Sequence, residues 1–233
     1  MTFGEKVIAF DQTLEYTGSL PTGIEIMNPF KNNHTVEAIT KNFYTKFFSD
    51  SNPRHLILGI NPGRFGAGAT GIPFTDTIRL NEKCGIAFDG FRTYEPSSAF
   101  VYDMIDAFGG TYVFYNKFFV SAICPLGFTI INNKGKTINY NYYDSKALTQ
   151  LVYDFILVTL KKQLDFGIDR SVCFCLGTGK NEAFLRQLNA EHRFFKEIVA
   201  LEHPRYIMQY KAKSKQVYIE KYLAAFNSEP QSG

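Results

Sequence analysis

Three short segments hold the residues whose types and spacing could do chemistry. The first runs Gly59-Ile60-Asn61-Pro62-Gly63-Arg64-Phe65-Gly66-Ala67-Gly68-Ala69-Thr70-Gly71-Ile72-Pro73-Phe74, with five glycines and two prolines in sixteen residues. Such a segment forms several tight turns and an irregular backbone. Gly63, Gly66 and Gly68 are spaced Gly-x-x-Gly-x-Gly, not the dinucleotide order Gly-x-Gly-x-x-Gly, and no acid stands at a ribose position. The second segment, Gly177-Thr178-Gly179-Lys180-Asn181, resembles the tail of a phosphate loop. It fails that test, because Phe174 sits where the first glycine belongs and Asn181 where Ser or Thr belongs. Its expected role is a tight strand-to-helix turn that offers backbone N–H groups to a phosphate. The third segment is His203-Pro204-Arg205, whose imidazole gains interest from landing beside the Asn61 loop in the fold argued below. No paired carboxylates stand near these segments to hold Mg²⁺; Asp76 and Asp103 are the nearest acids, which disfavours a hydrolase or transferase of free nucleotides.

The elements that must position these segments alternate in type. His34 to Phe48 carries apolar residues at helical spacing, and Arg54 to Ile60 reads as a buried strand ending in Gly and Pro. Pro96 to Phe108 reads as a helix with proline in its first turn. Lys117 to Ile123 is a second strand, and Asp144 to Leu164 a long helix capped by Asp144 or Ser145. Ser171 to Leu176, Gly179 to Leu188, Phe194 to Leu201 and Lys213 to Phe226 read as strand, helix, strand and helix. This alternation predicts a three-layer α/β/α sandwich around a central four-stranded parallel sheet. Ligands bind such folds beyond the carboxyl ends of the strands. All three segments follow predicted strands, as does Cys124 to Phe128, so four loops are expected at one edge. Residues 1–226 are expected to form a single domain and 227–233 a frayed tail.

The first segment, read with the later ones, resembles the water-positioning motif of the single-strand-selective monofunctional uracil-DNA glycosylase (SMUG) family. Phe119-Val120-Ser121-Ala122-Ile123-Cys124-Pro125-Leu126 resembles that family's base-recognition strand. Gly177 to Glu182 resembles its Gly-x-Gly turn, and Glu202-His203-Pro204-Arg205 its His-Pro motif and the start of its DNA-wedge loop. The resemblance implies the uracil-DNA glycosylase fold. It also implies a monofunctional, metal-independent DNA glycosylase, without cofactor, that hydrolyses the N-glycosidic bond of uracil or modified uracil for base excision repair. The partner would be single- or double-stranded DNA carrying the lesion, with the target nucleotide flipped into a pocket. On this resemblance Asn61 holds the attacking water and His203 hydrogen-bonds O2 of the leaving base. Phe74 stacks on that base, and Ile60, Gly63 and Phe65 line the pocket with Ser121 and Ala122. Arg205, Tyr206, Ile207 and Met208 fill the gap left in the duplex, while Lys180, Lys211, Lys213 and Lys215 meet phosphates.

Position 122 departs from the family pattern. The family carries Asn there, paired with the uracil edge, whereas Ala122 can neither donate nor accept; Ser121 stands where the family has His. Losing a paired contact costs about 1–3 kcal/mol and relaxes specificity, which opens the substrate list to 5-substituted uracils, xanthine and hypoxanthine. It also motivates the alternative of a catalytically inactive DNA damage-binding protein. No lysine lies in the Asn61 loop to act as a nucleophile, so monofunctional action is expected.

Bulk properties agree with this reading without requiring it. A chain of 233 residues with 45% hydrophobic residues is enough for one full core. The net charge of +3 neither demands nor excludes nucleic acid, but Arg205, Lys211, Lys213, Lys215 and Lys221 cluster near the C-terminus against one acid, Glu220. No signal peptide is expected, since Glu5 and Lys6 interrupt the first residues, and no apolar run suits a membrane span. A cytoplasmic, monomeric protein with reduced cysteines follows as the expectation. Cys84, Cys124, Cys173 and Cys175 lack metal-ligand spacing, so no metal site is expected.

Overall fold

The computed structural model describes residues 1–228. The chain opens with helix α1 (Phe3–Gln12), strand β1 (Ile24–Met27) and helix α2 (His34–Phe47). Thr2 and Glu5 form a reciprocal capping box on α1, and Asn33 caps α2. Strand β2 (Arg54–Gly59) runs into the glycine-rich segment, which contains the single turn α3 (Ala67–Thr70) and is followed by α4 (Thr77–Glu82). Next come α5 (Pro96–Phe108), α6 (Thr111–Lys117), β3 (Phe118–Ala122) and the hairpin β4 (Gly127–Ile131) and β5 (Thr137–Tyr140). The remainder is α7 (Lys146–Leu164), β6 (Ile168–Leu176), α8 (Lys180–His192), β7 (Glu197–Leu201), α9 (Pro204–Tyr210), a 3₁₀ turn at Ala212–Ser214 and α10 (Lys215–Asn227).

Strands β3, β2, β6 and β7 form the expected parallel sheet in that order. Side chains alternate between its faces. On β3, Phe119 packs against Phe3 of α1 and Tyr44 of α2, while its neighbour Phe118 packs against Phe108 of α5 and Phe226 of α10. Helices therefore cover both faces, giving the three-layer α/β/α arrangement. The strands end level: Gly59 pairs with Ala122, Leu58 with Cys175, and Leu176 with Leu201. That register gathers the four loops at one edge.

A second sheet was not anticipated. Strands β1, β4 and β5 make a three-stranded antiparallel sheet in the order β1-β4-β5. Helices α1, α4, α6 and α9 are likewise additions to the predicted set. Ser145, not Asp144, caps α7. Of the expected tail, Asn227 ends α10 and residues 229–233 lie outside the described residues. Among the described residues no helix is long and apolar enough to cross a membrane, and no three metal-binding side chains cluster. All four cysteines are unpaired and buried.

Candidate active site

Asn61 stands just past the end of β2, and the second sheet fixes its amide. Nδ2 donates to the carbonyl of Tyr140 at 3.2 Å, and Oδ1 accepts from the backbone N–H of Tyr142 at 3.2 Å. Nδ2 also reaches the carbonyl of Pro62 at 3.4 Å, so the amide so oriented keeps an acceptor site on Oδ1 for a water. The loop itself turns on Gly63, whose carbonyl accepts from the N–H groups of Gly66 and Gly68.

Phe74 closes the loop in the left-handed region at φ 52°, a costly conformation for a bulky residue. Ser98 of α5 donates its hydroxyl to the Phe74 carbonyl, and Thr70 donates to the carbonyl of Thr75 at 2.6 Å. These bonds hold the strained turn. The ring lies over the end of β2, where a β-carbon at Gly59 would be 3.1 Å from it. His203 is its neighbour at the edge, with ring centroids 5.6 Å apart and the rings tilted by 50°.

His203 caps α9, and its Nδ1 accepts the N–H of Arg205 at 3.1 Å. Burial, with the Arg205 cation as a lesser cause, pushes the imidazole down to about 4. The neutral ring therefore carries its proton on Nε2, a hydrogen-bond donor without charge.

Glu95 completes the edge, and sequence reasoning did not single it out. Its Oε1 would be 2.9 Å from a β-carbon at Gly63, and its Oε2 would overlap one at Gly66. A side chain at either position would displace this carboxyl. Burial, and then the nearby charge of Asp76, pushes it up to about 7, while Arg205 acts in the opposite sense. Two hydrogen-bonded residues behind the loop were also missed as such. Asn181 is buried, donates to the carbonyls of Leu176 and Gly59, and accepts from the Tyr142 hydroxyl.

The structure thus brings Asn61, Ile60, Gly63, Phe74, Ala122 and His203 to one edge, as the sequence reading expects. Other assignments need correction. Phe65 is 51% exposed on the loop surface, with the Arg64 guanidinium over its ring. Ser121 is buried on the α1–α2 side of the sheet, along with Phe119. Residues 204–210 form a helix, not a loop, and helical spacing turns Ile207 fully inward, where it packs in the core and cannot enter DNA. Tyr206 and Arg205 are exposed and Met208 half-buried. Lys180, Lys211 and Lys213 are exposed, but Lys215 is bound by Asp103 at 2.6 Å, which removes it from the free positive charge. Lys221 is held likewise by Glu202.

An asparagine amide, a neutral imidazole and an aromatic face at one sheet edge can hold a water, a leaving anion and a flat ring. Comparison with known proteins agrees with that arrangement. The family model of the uracil DNA glycosylase superfamily matches residues 45–227. The crystal structure of Pedobacter heparinus SMUG2 is 58% identical, covers 97% of each chain and superposes with a TM-score of 0.95. No curated protein matches in sequence. The chain belongs to the uracil DNA glycosylase superfamily and is related to its SMUG-like members.

Proposed function

We propose that this protein is a monofunctional DNA glycosylase that hydrolyses the N-glycosidic bond of uracil and related bases in DNA, without a metal, as the first step of base excision repair in the cytoplasm. The observation that carries the reading is the neutral His203 ring, Nδ1 engaged and Nε2 free to donate, 5.6 Å from Phe74 at the edge that also holds Asn61. A flipped base stacked on Phe74 lies within reach of that donor. The C1′–N bond breaks with its electron pair leaving on the base. Nε2–H stabilises the negative charge developing on O2. Water held by the Asn61 amide adds to C1′ of the cationic sugar and passes its proton to solvent, while the base departs as its anion. Asn61 is too weak a base to drive this attack, which suits a sugar that is already electron-poor. Lys180, the lysine of the Gly177–Asn181 turn, rests over the Tyr143 ring, in keeping with hydrolysis and not attack by an amine.

Ala122 favours one second reading, a protein that binds damaged DNA without turnover. Base release from short strands carrying uracil, 5-hydroxymethyluracil, hypoxanthine or xanthine separates the two, with alkali revealing abasic sites. Release of uracil, largely lost in Asn61→Ala and His203→Ala, supports the enzyme. Binding of every strand with no base released supports the sensor.

A further inference from the structure

Helix α9 follows His203 directly, and its two sides differ in kind. Pro204, Ile207 and Met208 face inward, and Ile207 and Met208 pack with the core. Ile207, the apolar residue that would enter a DNA stack, is thereby out of reach of DNA. The outward side carries Arg205, Tyr206, Gln209 and Tyr210, all exposed. Tyr206 and Tyr210 stand four residues apart on the helix, so their rings meet, with centroids 5.5 Å apart and a tilt of 46°. Gln209 donates to the Tyr210 hydroxyl at 2.9 Å. Even so, Tyr210 remains 65% exposed and Tyr206 43%. Two large rings held against each other in water leave an aromatic face open to a partner.

The charge around this pair has one sign. From His203 to Ile219 the chain has no acidic residue. Arg205 precedes the pair, and Lys211 and Lys213 follow it, all three exposed and without an ion pair among the described residues. Open aromatic faces between cations suit single-stranded nucleic acid, whose bases stack while its phosphates meet the charges. Bases in a duplex already stack on one another, so unpaired bases gain most from such a face. We propose that Tyr206 and Tyr210 form a stacking platform for unpaired bases that flank the flipped nucleotide, with Arg205, Lys211 and Lys213 beside it for the phosphates. α9 thus holds the strand by a flat face and does not wedge into a duplex. The inference rests on the glycosylase reading above, which brings DNA to the His203 edge.

The test is binding of short DNA strands with one central abasic site, which needs no turnover, by wild type, Tyr210→Ala, Tyr206→Ala and Tyr210→Phe, with melting temperature as the check on folding. Three probes are titrated: the single strand, the same strand in a duplex, and a single strand whose nucleotides flanking the centre also lack bases. Each alanine variant is expected to weaken binding of the first probe about five- to a hundredfold, the scale of one lost base stack. The slope of log affinity against log salt should not change, because stacking releases no counterion. Tyr210→Phe keeps the ring and should bind as wild type does. On the duplex the alanine variants should lose less, and on the strand with base-free flanks they should match wild type. Alanine variants with wild-type affinity for the single strand, a loss that persists without flanking bases, a loss as large on the duplex, or a Tyr210→Phe as weak as Tyr210→Ala would each overturn the proposal. Uracil release by wild type is measured alongside. Release beside unaffected alanine variants sinks this inference alone, whereas no release from any strand sinks the glycosylase reading and leaves the platform to be judged by the titrations.

Discussion

Tyr142 donates its backbone N–H to Oδ1 of Asn61 at 3.2 Å, and its hydroxyl donates to Oδ1 of Asn181 at 2.9 Å. Asn181 in turn donates to the carbonyl groups at the ends of β6 and β2. One tyrosine thus ties the amide of the glycine-rich loop to the sheet beneath it. Both Tyr142 and Asn181 are buried, so Tyr142→Phe leaves Oδ1 of Asn181 without its donor, at a cost of about 1–3 kcal/mol. Chemical denaturation should show that loss. Turnover should fall while the substrate KM changes little, since Asn61 loses support but the rim that meets DNA is untouched. A variant with wild-type stability and rate would mean that the chain of bonds does not position Asn61.

The acid side of the pH profile should be set by His203. Its folded value of about 4 lies below its ordinary 6.5, so the folded protein binds fewer protons than the unfolded chain between those values. Stability from this group is therefore full above about 6.5 and is lost as pH falls toward 4. Protonation would also put a proton on Nδ1, against the N–H of Arg205. Thermal melts from pH 4 to 7 should show a steeper acid loss for wild type than for His203→Gln. Parallel slopes would show that the ring is not held neutral.

Glu95 should govern the neutral range. Its carboxyl is pushed up to about 7, so it gains charge as pH rises through neutrality. That charge appears beside Gly63 and Gly66, where a phosphodiester-linked nucleotide has to approach. Like charges repel, and Arg205 offsets only part of the effect. DNA affinity is expected to weaken from pH 6 to 8 by more in wild type than in Glu95→Gln, measured by titration of a uracil-containing strand at fixed salt. The same slope in both proteins would remove Glu95 from the rim.

The sequence carried the sheet edge more clearly than what supports it. Pro96 at a first turn and Ser145 before an amphipathic run marked helix starts that the structure reproduces, and the apolar runs at 54–60 and 171–176 marked central strands. The second sheet was hidden because its strands are four or five residues long, and β5 is largely exposed and shows no clear alternation. Yet that sheet holds Asn61. The Thr2-x-x-Glu5 capping box was a readable signal for α1, and Pro204 for α9; the latter would have turned Ile207 inward. Glu95 over Gly63, and Asn61 against Tyr140 and Tyr142, are contacts between residues far apart in sequence, and no local pattern encodes them.

The basic rim offers a separate test, because ion pairing divides lysines that look alike in sequence. Lys215 and Lys221 already neutralise Asp103 and Glu202, and a phosphate would have to displace those carboxylates to reach them. Lys211 and Lys213 are exposed and make no ion pair among the described residues. Each lysine that meets a phosphate releases about one counterion, so removing it lowers the slope of log affinity against log salt by about one. Lys211→Ala and Lys213→Ala should each reduce the slope by that amount, whereas Lys215→Ala should leave it nearly unchanged and lower only stability, slightly. The readout is binding of an abasic-site strand across a salt series, which needs no turnover. If Lys215→Ala lowers the slope as much as Lys211→Ala does, the pair with Asp103 opens on DNA and the rim is wider than its ion pairs indicate.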